Sequence, residues 1–396
     1  MQRLLTIDVR DTTWPGKGHL PAFPPSFPKG EVFESINIAS MLLMIGYLTT
    51  PISSTGVSLS EFWAWVRYLA AITPDQRLRL TRSFADLDAH QKTILSDDFG
   101  VGVPMLWLND RLRFDRIVDG RYFVQKIAAS IGASQRRTAK RGPNKSPDFV
   151  ARDIHGVWHV IECKGTQSGC AYSDGQIGMG KIQAHAINFP RAHTGQRLVT
   201  GLSIGIEDGD ASTLTIIDPE LEDPFEISSG QLDEANDAAA RGVMSKVLRL
   251  TGFETAAEAT ASPLGRKPTV RRFPEGRRET QRQQDVEERA ERVRQELDEV
   301  NLRTAVFGGR FRGRELVIDL PRSVYVDDEP IVRAVVRQGV DEEVLAQLRE
   351  TPTLEEPTFD TDARWSGRIG QNEVAGDERT AKMRIGNLFQ SELILE

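Results

Sequence analysis

Apolar residues recur along this chain with two periods, and the switches between them outline its elements. Met1–Val9 alternates like a short strand, and the proline-rich Pro21–Pro28 reads as an extended loop. Ile36–Leu48 is apolar almost throughout. Leu59–Ile72 is rich in aromatic residues, with Ser60 as its cap and Pro74 beyond its end, so both stretches predict buried helices. Ser96–Gly102, with Asp97 and Asp98 between small residues, reads as an acidic turn exposed to solvent. Ile117–Gly132 fits one helix with Gly132 as its stop. Ser146–Gly165 then changes to β character: Val, Ile, Phe and Trp flank Asp153-Ile154-His155-Gly156, the chemistry of a tight turn. Beyond it, Gln176–Phe189 predicts a helix ended by Pro190, Leu198–Ile206 and Ser212–Asp218 predict strands, and Gln231–Gly252 predicts another helix. Residues 306–396 read as short strands, with one helix from Asp341 to Arg349 and Pro321 as a breaker.

These elements predict an α/β core with a mixed sheet flanked by helices, set between two appended modules. The expected divisions are a mostly helical module over 1–110, the core over 111–258, a basic linker over 259–280, and a charged helix with a β-rich α+β module over 281–396. On the charged helix, Val286, Ala290, Val293, Leu297 and Val300 recur at heptad spacing. That seam predicts either a partner helix in a homo-oligomer or another protein, or packing on the chain's own C-terminal module.

A length of 396 residues exceeds one average domain. The net charge of −7 argues against nucleic-acid contact over the whole surface, so any such contact has to be local. Two cysteines exclude a cysteine-built zinc site and fit a reducing compartment. No signal-peptide pattern opens the sequence, and its most apolar run, Ile36–Leu48, is too short to span a bilayer, so a cytoplasmic protein without a membrane partner is expected.

The hairpin carries the chemistry. A return turn at 153–156 brings Asp148 back beside Glu162, and period-two alternation puts Trp158, Val160, Glu162 and Lys164 on one face of the second strand. Two carboxylates and an ammonium thus converge at the open end of an apolar hairpin, where charge needs a metal, an opposite charge or water. Upstream, Arg136, Arg137, Lys140, Arg141 and Lys145 give five cations and no acid within eleven residues, a local patch suited to phosphate.

Pro147-Asp148 and Glu162-Cys163-Lys164 together resemble the signature of the PD-(D/E)xK nuclease superfamily, the restriction-endonuclease-like fold. The likeness covers roughly residues 119–206. It implies that Asp148, Glu162 and the backbone carbonyl of Cys163 hold Mg²⁺, for which Mn²⁺ can substitute, and that Lys164 orients or activates the attacking water. Asp148, Glu162 and Lys164 would then be the catalytic residues of a metal-dependent endonuclease acting on DNA in preference to RNA. A bacterial anti-phage defence or restriction role is the biology the resemblance implies. It also implies a supporting residue, Gln183 or Lys181, on the helix after the hairpin, and an extra acid on the first core helix. In Ile117–Gly132 the candidates for that acid are Arg121, which has the wrong charge, and Asp119, at the start. Two other readings stay open: an RNA-directed nuclease, and a non-catalytic nuclease-like subunit that binds nucleic acid or assembles a complex. No P-loop occurs, so no ATP-driven step is expected by that route.

Overall fold

A computed structural model describes residues 1–16, 18–52, 68–130, 146–184, 187–219, 225–261, 275–299, 303–326, 329–352 and 365–396. Its main sheet is mixed and seven-stranded. Strands β1 (Gln2–Val9), β2 (Gly30–Asn37), β3 (Phe114–Asp119), β4 (Phe149–Asp153), β5 (Trp158–Thr166), β6 (Thr194–Ser203) and β7 (Thr213–Ile217) lie in the order β2-β1-β7-β6-β5-β4-β3. Pairing is antiparallel from β3 through β5, parallel between β5 and β6, antiparallel between β6 and β7, and parallel between β7 and β1. The expected α/β class with a mixed sheet is what the chain forms. Segment 1–110 is not helical alone, since β1 and β2 extend the same sheet as the hairpin.

The hairpin sits near the middle because its residues suit burial on both faces. Phe149 pairs with Ile161, and Val150 with Val160. The Asp153 carboxylate accepts the backbone N–H groups of His155 (2.8 Å) and Val157 (2.9 Å), closing the turn, and Gly156 takes φ of 78° there.

Helices cover both faces. Among the described residues the α-helices of eight residues or more are α1 (Ile38–Thr49), α2 (Ala89–Leu112), α3 (Gly120–Ser130), α4 (Cys170–Ala184), α5 (Leu232–Thr251), α6 (Glu254–Ala261), α7 (Glu275–Asp298) and α8 (Glu342–Glu350), the last against a second sheet. Two expectations change here. The acidic turn at 96–102 is part of α2, and the helix expected over 117–132 begins only after β3. Phe114, Ile117 and Val118 are buried as strand residues, and Gly120 starts α3 where any side chain would strike the Pro147 backbone. Asp119 therefore ends a strand.

A second, wholly antiparallel sheet follows. Its strands are β8 (Thr304–Val306), β9 (Phe311–Val326), β10 (Glu329–Asp341), β11 (Asn372–Gly376), β12 (Thr380–Ile385) and β13 (Phe389–Leu395), ordered β8-β9-β10-β13-β12-β11. Its first hairpin is long: Pro321 does not end β9, which instead shifts register between Asp319 and Val324. Helix α1 packs between the two sheets, and the main core runs through both without a break. Of the heptad seam, Ala290, Val293 and Leu297 are buried within this chain, and Glu296 accepts the N–H groups of Thr255 and Ala256 at the start of α6. Among the described residues no helix is long and apolar enough to cross a membrane.

Candidate active site

Beyond Phe149, β4 no longer covers the edge of β5, and there the polar residues meet. The Cys163 N–H donates to Asp148 Oδ2 at 2.8 Å, and the Asp148 N–H donates to Glu162 Oε2 at 3.1 Å. Lys164 Nζ donates to Glu162 Oε1. A strand residue sends its N–H and C=O to the same edge, so the Cys163 carbonyl also faces the Asp148 side. The hairpin thus brings together Asp148, Glu162, Cys163 and Lys164, as its alternation predicted.

Two helices clamp this end of β5 from opposite faces. On the Glu162 and Lys164 face, Gly180 of α4 lies so close that a Cβ would stand 2.9 Å from Val199, 3.3 Å from Glu162 Cγ and 3.6 Å from Lys164 Cε. On the other face, Gly100 of α2 meets Gly165, and a Cβ on Gly100 would stand 2.6 Å from Gly165 Cα. A Cβ on Gly165 would overlap the Ser96 carbonyl oxygen. This contact carries Asp97 to the site, while its neighbour Asp98 accepts a hydrogen bond from Tyr68. Only one of the two adjacent acids therefore belongs to the cluster.

The electrostatics follow from burial. Glu162 is 0% exposed; that burial, reinforced by the Asp148 charge, pushes its pKa up to about 7 against the pull of Lys164 and the Asp148 N–H. Burial also raises Asp148, with Asp97 and Asp119 adding to it, while the Cys163 N–H and Lys164 oppose it. Asp97 is raised by burial and relieved in part by Lys164. At Lys164 burial acts downward, but the bond and charge of Glu162, with Asp148, outweigh it and raise the pKa. The ammonium stays charged near neutrality. It suits holding or donating to an oxygen and not taking a proton. Burial pushes the Cys163 thiol well up, so that side chain is no nucleophile.

The donor set suits a hard cation: carboxylate and carbonyl oxygens, with acids whose mutual repulsion a cation relieves. Among the described residues, however, no three His, Cys, Asp or Glu side chains are grouped closely enough to hold a metal by themselves. Any ion here would have to draw on the backbone carbonyl and water as well.

Other expected site residues fall elsewhere. Asp119 lies beside Asp148 but is engaged by Lys246 at 2.7 Å, a lysine on α5 that no motif marks. Gln183 belongs to α4, its side chain outside the described residues. The patch of Arg136, Arg137, Lys140, Arg141 and Lys145 also lies outside them, as do residues 59–67 of the helix expected over Leu59–Ile72. The sequence sets Asp97 and Asp98 as metal ligands below a solvated acidic turn, because Gly100 and Gly102 look like turn residues. The i, i+4 recurrence of Leu95, Phe99 and Val103 was the available helical signal.

Compared with protein-family models, curated proteins and solved structures, the chain matches none.

Proposed function

We propose that this chain is a divalent-metal-dependent nuclease of the PD-(D/E)xK type, hydrolysing phosphodiester bonds, with DNA the favoured substrate. The observation that carries the reading is the convergence of Asp148, Glu162 and Lys164 on the open edge of β5. The succession α3, β4, β5, α4, β6 supports it, a helix–strands–helix–strand order with α4 as the crossover between the parallel β5 and β6.

In this reading Asp148, Glu162 and the Cys163 carbonyl would hold Mg²⁺, which when bound polarises the phosphate and acidifies water. Lys164, 24% exposed and charged, holds the attacking water's oxygen in line with phosphorus. Glu162 fixes Lys164, and Asp148 is fixed by the Cys163 N–H. Asp97 adds negative charge from α2, in the supporting place first assigned to Asp119. Attack forms the new P–O bond as the water gives up a proton to solvent, and the P–O bond to the sugar breaks, its oxygen leaving with the electron pair and taking a proton from solvent. Work in anti-phage defence or restriction is the setting that the family likeness implies.

One observation favours a second reading. Both Glu162 oxygens already accept from internal donors, as in a self-neutralised pair kept by a non-catalytic nucleic-acid-binding subunit. The test offers supercoiled DNA, single-stranded DNA and RNA to the full chain with Mg²⁺ or Mn²⁺. Cutting by wild type that disappears in Asp148→Ala, Glu162→Ala and Lys164→Ala, by about 10²-fold or more, is the expected result. Cutting that survives all three changes would sink the assignment. No cutting together with no calorimetric Mn²⁺ binding would leave the subunit reading.

A further inference from the structure

Four acids gather around the end of β5, and Lys164 answers only some of that charge. A second cation reaches the group from the far side. Lys246 lies in the C-terminal half of α5 with its side chain 0% exposed, and its Nζ donates to the Leu48 carbonyl at 2.8 Å. The same atom stands 2.7 Å from Asp119 Oδ1, and 5.5 Å and 5.9 Å from the ring centres of Tyr47 and Phe149. Asp119 is itself 32% exposed and pairs across the ladder with Phe149, the neighbour of Asp148. The next residue, Gly120, donates its N–H to the Asp148 carbonyl at 2.9 Å.

A fully buried lysine loses its hydration, and one partly exposed carboxylate is a modest return for that loss. Apolar residues of similar shape commonly serve a fold as well as such a pair or better. Packing therefore does not explain why a charge is placed here. Its local effect does: without the Lys246 charge, Asp119 would stand as a further unclaimed acid across the ladder from Phe149, the neighbour of Asp148.

We propose that Lys246 is a positioning residue of the candidate site, an internal counter-ion that claims Asp119 so that Asp148 and Glu162 meet a divalent cation without Asp119 competing for it. The inference rests on the metal-dependent nuclease reading. The two lysines then divide the acids: Lys246 takes Asp119, Lys164 takes one oxygen of Glu162, and Asp148 is left facing the cation.

The experiment compares wild type, Lys246→Met, Asp119→Asn and the double variant as full chains. Thermal melting, Mn²⁺ titration calorimetry and cleavage kinetics with separate kcat and KM are the readouts, with Glu162→Ala as the control. In Lys246→Met the melting temperature is expected at or above wild type and Mn²⁺ affinity equal or tighter. Its kcat is expected to drop about tenfold or more at unchanged KM, because the freed Asp119 draws the ion off register. Removing that acid in the double variant is expected to restore most of kcat. A merely structural lysine would lower affinity and rate together and would not be rescued.

Full activity in Lys246→Met, or a double variant no faster than Lys246→Met, overturns the inference while the Glu162→Ala control keeps the nuclease reading intact. If Lys246→Met does not fold, the double variant decides. Near-wild-type cutting supports the counter-ion role, whereas a folded but slow double variant, or failure of both to fold, overturns it. A wild type that neither cuts nor binds Mn²⁺ removes the nuclease reading, and the inference with it.

Discussion

Glu162→Gln is expected to abolish metal-dependent cleavage and, in the metal-free protein, to lessen a loss of stability that wild type shows as pH rises. The sign follows from where its proton is held. Burial and the Asp148 charge push the folded-state pKa up to about 7, whereas an unfolded glutamate titrates near the ordinary value of about 4.3. The folded chain therefore binds the proton more tightly. Below the unfolded value both states are protonated and Glu162 costs nothing. Between that value and about pH 7 the unfolded state ionises while the folded state resists, so stability falls. At about 1.4 kcal/mol per unit, the loss is on the order of 4 kcal/mol by pH 8. Asp148 and Asp97, raised in the same direction, deepen the fall. Chemical denaturation of wild type and Glu162→Gln from pH 4 to 8 checks this: the two slopes should separate above about pH 5. Adding Mn²⁺ should restore wild type alone, since a ligand that binds only the folded state stabilises it. Parallel curves in the absence of metal would mean that Glu162 is not under electrostatic pressure.

Gly165→Val is expected to be among the most damaging single substitutions outside the charged cluster. Its side chain would occupy the Ser96 carbonyl, and the obstacle is helix backbone, which has no rotamer to change. Forcing α2 off β5 should cost about 3 kcal/mol or more, a large share of the roughly 5–15 kcal/mol that holds a typical domain folded. Surviving folded protein should also have lost the approach of Asp97, so activity per folded molecule should fall as well. Thermal melting with cleavage normalised to folded protein separates the two effects. Gly156→Ala serves as the comparison: no atom lies within 4 Å of its Cβ position, so its cost is confined to the strained turn conformation. Equal melting temperatures for Gly165→Val and wild type would refute the tight helix–strand contact.

What the sequence made legible was local. The hairpin could be read because its turn is made by Asp153 accepting N–H groups two and four residues on, and its strands alternate within a few positions of each other. The convergence of Asp148 with Glu162 follows from that geometry alone. Asp97 could not be read in the same way. A helix that runs through Gly100 and Gly102 defies propensity, and it survives because those glycines let it lie against Gly165 and Ile45. Lys246 was less legible still, since its partners Asp119 and Leu48 belong to distant segments that only the finished core brings together. The 117–132 segment shows a misplaced boundary: its helix forms over Gly120–Ser130, but Ile117–Asp119, which the apolar spacing also assigned to it, end a strand in which Ile117 and Val118 are buried.

The parallel pairing of β1 with β7 bears on the order in which the chain can assemble. Thr6 finds its partner in Thr213, so on the ribosome the first strand emerges long before its second neighbour exists. Helix α1 waits longer, because Asn37 just ahead of it bonds to the Asp377 carbonyl and its apolar length is covered by the C-terminal sheet. The hairpin with its acids needs only nearby residues, but Gly180 and Val199, which close on Glu162, and Lys246, which engages Asp119, follow it in the chain. High contact order of this kind makes for slow maturation. A nascent chain therefore carries the ingredients of the centre well before it has the centre.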